Sequence, residues 1–149
     1  MSLINGVIAQ KLQSLDTTLL ELGSLGTLNI EQLAHDWRTK RAVERSLQIL
    51  VEIVIDICQR SIALSGQSPG TTGRDAIERT IHMGVISNDD HWFKMAQFRS
   101  FIVHRYEPVD NAILVDMANR HLSDFAQFRN EVLAYVRRIT AGDQATDSR

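Results

Sequence analysis

The sequence predicts an all-α fold, an antiparallel bundle of four to five helices, and three observations carry that expectation. Apolar residues recur at steps of three and four along nearly the whole chain, the period of an amphipathic helix. Only two prolines and eight glycines punctuate 149 residues, too few for a turn-rich β architecture. The connections between periodic segments are short, which makes successive helices antiparallel neighbours.

Ile4, Ile8, Leu12, Leu15, Leu19 and Leu22 define a first helix, which stops in Gly23-Ser24-Leu25-Gly26. Asn29 is placed to cap the next segment, a helix or helix pair from Ile30 to Leu64, whose apolar stripe is Val43, Leu47, Leu50, Val54, Cys58 and Ile62. Ser65 to Gly73 reads as a flexible glycine-rich connector, and Arg74 to Met83 as a short helix closing at Gly84. Asn88 or Asp89 caps a further helix to about Arg105, with Pro108 breaking it and Glu107 leaving helical geometry. A last helix from about Asp110 to Ile139 carries Ile113, Met117, Phe125, Phe128, Val132, Val136 and Ile139. Residues 1–139 therefore read as one domain and 140–149 as a flexible polar tail. Several apolar stripes are wider than a single bundle core needs, which points to a homodimer.

At 44% hydrophobic and 23% charged, the chain has the balance of a soluble domain. Its formal net charge of −2 argues against binding nucleic acid through bulk charge and leaves room for a local basic site. Cys58 is the one cysteine, so no internal disulfide forms; it reads as a small core side chain in a protein of a reducing compartment. Met1 to Gly23 has no basic leader region and carries Asp16 and Glu21, unlike a signal peptide, and no apolar run reaches the ~20 residues a membrane span needs. A soluble, cytoplasmic protein is expected.

The glycines of the 66–73 connector are not followed by the Lys of a phosphate loop. His35, His82, His91 and His121 lack partners at metal-ligand spacing and read as surface or helix-end residues, so neither metal nor cofactor is expected. The remaining chemistry lies in Gln97-Phe98-Arg99-Ser100-Phe101-Ile102-Val103-His104-Arg105-Tyr106-Glu107-Pro108. On an ideal helix, positions 99 and 104 are about 7.5 Å apart along the axis and roughly 140° around it. Arg99 shares a stripe with Trp92, Met95, Ile102 and Tyr106, where a buried guanidinium needs a compensating group. Either Arg99 pairs with Glu52 or Asp56 inside the bundle while His104 merely ends a helix, or Arg99 and His104 meet on one ligand. The second requires side-chain reach, local unwinding, or a second copy of the chain.

The Arg-x4-His-x-Tyr arrangement, on a helix opening Trp92-Phe93-Lys94-Met95 and breaking after Tyr106, resembles the active-site motif of the HepT-like HEPN ribonuclease toxins. The basic segment Arg38, Lys40, Arg41, Arg45, the Glu52-x3-Asp56 step, Gly84-Val85-Ile86 before the motif helix and Val109-Asp110 after it extend the resemblance over about Leu33 to Val136. Ser100 departs from it, because the family usually has Asn or Asp after the motif arginine; serine hydrogen bonds with shorter reach and no charge. The resemblance implies a homodimeric, metal-independent endoribonuclease of a toxin–antitoxin system, with Arg99 and His104 catalytic and Ser100 in support. It also implies silencing by a partner MNT-type nucleotidyltransferase that attaches AMP to Tyr106. Glu52 and Asp56 then stand as orienting acids, and Arg38, Lys40, Arg41 and Arg45 as RNA contacts. The alternative is a helical protein-interaction module whose catalytic motif has decayed.

Overall fold

The central helix follows from the strongest apolar pattern in the chain. In the computed structural model, which describes residues 2–104 and 109–147 with side chains over 6–102 and 109–142, α3 (Trp37–Leu64) is the axis of the bundle. Val43, Leu47, Leu50, Val51, Val54, Ile57, Cys58 and Ile62 on it are fully buried. Around it pack α1 (Ser2–Gly23), α2 (Ile30–His35), α4 (Gly73–His82), α5 (Asp90–His104), α6 (Asn111–Arg120) and α7 (Leu122–Asp147). All regular elements among the described residues are helical, as the periodicity predicts, and none is long and apolar enough to cross a membrane.

Seven described helices replace the four to five expected, and local capping explains both additional breaks. Asp36 separates α2 from α3: its carboxylate accepts the Thr39 amide at 3.2 Å and the Thr39 hydroxyl at 2.6 Å, a side-chain N-cap. Those hydrogen bonds, the hydroxyl's first, hold the Asp36 carboxyl below its ordinary pKa. Asn29 caps α2 as expected, accepting the Gln32 amide at 2.7 Å. His121 splits the segment read as one final helix. It caps α6, and its ring lies between Asp116 at 3.2 Å and Asp124 at 3.0 Å. The polar stretch after Ile139 continues α7 to Asp147.

Two amide side chains fasten the longer connections. Asn119 accepts the Leu28 amide at 2.9 Å and donates to the Leu28 carbonyl at 2.7 Å, pinning the α1–α2 turn onto α6. Gln59 does the same for Gly70, accepting its N–H at 2.7 Å and donating to its carbonyl at 3.0 Å. Residues 65–73 are therefore not the flexible connector expected of their composition. One side chain satisfies both backbone polar groups of a single residue, so the loop is held against α3.

Trp92 sets the depth of α5. It is fully buried, its ring meets Phe128 edge to face at 5.7 Å, and its indole N–H donates to the Ser87 carbonyl at 2.9 Å. Trp92→Ala is expected to cost about 3–5 kcal/mol in denaturant unfolding, the range for deleting a large aromatic side chain from a core. Burial pushes the Cys58 thiol up to about 12, although Thr80 opposes the shift. Because the thiolate is the reactive form, Cys58 should resist a thiol-specific disulfide reagent in the native protein and react once denaturant is added.

Candidate active site around Arg99

Arg99 leaves α5 on the stripe that buries Trp92 and Met95 and half-buries Ile102. Its own side chain is half-buried, and its Nε is shielded from solvent with no hydrogen-bond partner among the described residues. A guanidinium is always charged, so among the described residues this position carries an uncompensated cation at the edge of an apolar core.

The nearby acids do not pair with it. Glu52 accepts a hydrogen bond from Gln48 at 3.1 Å, and Asp56 pairs with Lys11 of α1. The expected alternative of a bundle ion pair between Arg99 and either carboxylate is not formed. Both acids nevertheless line one groove with Arg99, about 630 Å³ in volume and walled by Lys11, Gln59 and the loop residues Thr71, Thr72 and Gly73. They are neighbours of the guanidinium without being its partners.

A second groove of about 870 Å³ adjoins Arg99 on the other side of the same loop. Its walls are Thr71 to Arg74 together with Asp90, Phe93, Lys94, Ala96, Gln97, Arg99 and Ser100 of α5. Three cations thus line it against one acid. Ser100, the residue that departs from the family pattern, is exposed here beside Arg99. Sequence reasoning missed Arg74 and Lys94 because neither belongs to the motif; the loop clamp by Gln59 brings residues 71–74 against α5. At Gly73 the packing is tight: a Cβ there would stand 3.0 Å from Ile55 Cδ1 of α3 and 3.9 Å from Ala96 Cβ of α5.

His104 is the last residue of α5, but its side chain lies outside the described residues. Tyr106, Arg105, Glu107 and Pro108 lie outside them altogether. Helix α5 runs through positions 99 and 104, which excludes unwinding between them. The five-residue step keeps its rise of about 7.5 Å and turn of roughly 140°, leaving side-chain reach or a second copy to unite the pair.

Arg38, Lys40, Arg41 and Arg45 follow one another along the first half of α3, with Arg38 over the exposed ring of Trp37 at 5.6 Å. None of the four lines either groove beside Arg99. His35 and His82 end α2 and α4, and His91 lies in the first turn of α5, its Nδ1 3.5 Å from Asp89. Among the described residues, no three His, Cys, Asp or Glu side chains are grouped to hold a metal ion.

A family model described as ribonuclease HepT-like matches residues 15–132. The chain belongs to that family. No curated protein matches it by sequence. Among solved structures, a chain of a toxin–antitoxin complex with AMP-PNP superposes with a TM-score of 0.77 at 23% identity, over 87% of this chain and 99% of that one. The tri-AMPylated HEPN toxin of Shewanella oneidensis, in complex with its MNT antitoxin, gives 0.75 at 23% identity, over 86% and 97%. These likenesses establish the HepT-like helical fold for almost the whole domain.

The Gln59–Gly70 clamp makes a directional prediction. A Cβ at Gly70 would lie 2.8 Å from the Ala76 amide nitrogen and 2.9 Å from its Cα, so Gly70→Ala must displace backbone. It is expected to lower stability by about 1–3 kcal/mol, as overpacking does. Gly6→Ala, in open space within α1, should instead raise stability by about 0.5–1 kcal/mol. Paired denaturation curves of the two variants check both signs.

Proposed function

We propose that this HepT-like chain is the toxin of a toxin–antitoxin pair, a metal-independent, cytoplasmic endoribonuclease that acts as a homodimer. The observation that carries the reading is the half-buried Arg99 guanidinium, left without an anionic partner among the described residues at the junction of two open grooves. A scissile phosphate is the anion that site lacks, and the fork of a guanidinium matches two phosphate oxygens.

In the proposed reaction His104 takes the proton of a ribose 2′-hydroxyl, O2′ attacks the adjacent phosphorus, and the 5′-oxygen leaves with a proton. A 2′,3′-cyclic phosphate and a 5′-hydroxyl result. Imidazole suits this work because its ordinary pKa of about 6.5 lets it take and return a proton near neutrality. Arg99 stabilises the charge gathering on phosphorus in the transition state. Two copies of α5 across a two-fold axis supply the second imidazole, one as base and one as acid. Glu52 and Asp56 orient the cations that share their groove, Ser100 supports Arg99 through its hydroxyl, and Arg38, Lys40, Arg41 and Arg45 contact RNA beyond the scissile bond.

Regulation follows from the motif tyrosine. An MNT-type nucleotidyltransferase partner would attach AMP to Tyr106, placing a negative phosphate within a few residues of Arg99 and His104 to compete with the RNA backbone. Family membership and the AMPylated state of the Shewanella oneidensis toxin support this reading.

Expression of the chain without its antitoxin is expected to arrest growth, and His104→Ala to relieve that arrest with the helical circular dichroism unchanged. In vitro, His104→Ala should lower the cleavage rate by about 10²–10⁴-fold. End-group analysis of the products should find 2′,3′-cyclic phosphate; 3′-hydroxyl ends would contradict the mechanism. Incubation with the cognate transferase and ATP should add one or more AMP masses, abolished in Tyr106→Phe.

A further inference from the structure

The groove between residues 71–74 and α5 holds more positive charge than the chemistry at Arg99 uses. Arg74 opens α4 on one wall, Lys94 stands on α5 at the other, and Arg99 closes the far end. Asp90 is the one acidic side chain among the lining residues. Counting Glu78, which pairs with Arg74, two acids offset three cations among the described residues, so the cleft carries a local excess of one positive charge in a chain of formal net charge −2.

Arg74 makes two contacts of its own. Its guanidinium lies over the Phe93 ring, 4.7 Å from the centroid, and its Nε faces Glu78 at 3.4 Å. Both contacts are at the exposed rim of the cleft: they bias the guanidinium towards the cleft edge, and an arriving phosphate would compete with Glu78 for it. Lys94 is exposed and forms no ion pair among the described residues. The N-terminus of α4 itself is already satisfied: the Thr72 hydroxyl accepts the Asp75 amide at 3.0 Å, and the Asp75 carboxylate accepts the Thr71 amide at 3.0 Å. The cations, and not the helix end, are what the cleft offers to an anion.

Lys94 and Arg99 are five helical residues apart, about 7.5 Å along the axis and roughly 140° around it, so the long Lys94 side chain reaches around α5 to the groove that both line. The axial step is roughly the rise of two stacked nucleotides at about 3.4 Å each. We infer that Arg74 and Lys94 form a phosphate subsite for single-stranded RNA beside the scissile position, holding the backbone one or two nucleotides away from the linkage at Arg99. The inference rests on the ribonuclease reading for the identity of its polyanion. It adds two residues outside the motif and a requirement for substrate length.

The test uses the full chain and a 2′-O-methyl hexaribonucleotide, which binds without being cleaved, titrated at several salt concentrations. Each single-strand phosphate contact contributes about 0.7 to the slope of log affinity against log salt. Arg74→Gln and Lys94→Gln should each reduce the slope by about that amount and weaken hexamer binding several-fold, while Arg74→Lys keeps the slope. Cleavage of a dinucleotide, which cannot reach the subsite, should fall less than cleavage of a hexanucleotide in both Gln variants. Unchanged salt slopes would overturn the subsite and leave the ribonuclease reading standing. Slopes that fall in a protein unable to cleave any RNA would retain the subsite and remove the catalytic reading. If the variants lose affinity only for the antitoxin, the cleft is a protein-docking surface and the proposal fails.

Discussion

The organising constraint of this structure is a positive charge at the edge of its core that no group among the described residues neutralises. Arg99 lies on the face of α5 that buries Trp92 and Met95, and its Nε is sealed from water with no acceptor among the described residues. Leaving a charge so placed costs stability unless an anion is at hand. Carboxylates are near enough to line the same groove, yet Glu52 is hydrogen-bonded to Gln48 and Asp56 is drawn away by Lys11. A protein selected only for stability would have used one of them. With both diverted, the guanidinium is free of them, as the proposed phosphate ligand requires.

The rest of the architecture serves that arrangement. Trp92, locked between Phe128 and the Ser87 carbonyl, fixes where α5 sits. Gln59 fastens the glycine-rich loop against α3, so that Thr71, Thr72 and Gly73 wall both grooves instead of sweeping across them. Preorganisation of this kind matters for a site whose task is to meet charge as it develops, because donors already in position need no rearrangement during the reaction. The proposed catalytic centre thus stays open on a bundle that is otherwise closely packed.

The helical class and most element positions were legible in the sequence because a step of three and four is a direct record of which face is buried. Breaks were harder to read. Asp36 and His121 end helices through side-chain hydrogen bonds whose partners, Thr39, Asp116 and Asp124, look like ordinary surface residues in sequence. Arg99 is singled out by the likeness of Arg-x4-His-x-Tyr to the HepT-like motif, and its place on the stripe of Trp92 and Met95 raises the question of what compensates its charge. Arg74 and Lys94 escaped notice because their proximity depends on one long-range clamp, Gln59 to Gly70, and nothing local to either residue encodes it. Serine at position 100 remains the one departure from the family pattern, placed in the cleft where its hydroxyl is open to solvent.

The most direct measurement is a crystal structure of the protein with a non-cleavable 2′-O-methyl dinucleotide. The account predicts the internucleotide phosphate within hydrogen-bonding distance of the Arg99 guanidinium, with His104 of the same or a second copy against the modified 2′-oxygen. A carboxylate of the chain or of a neighbouring subunit seated on Arg99, with the dinucleotide bound elsewhere or not at all, would contradict it.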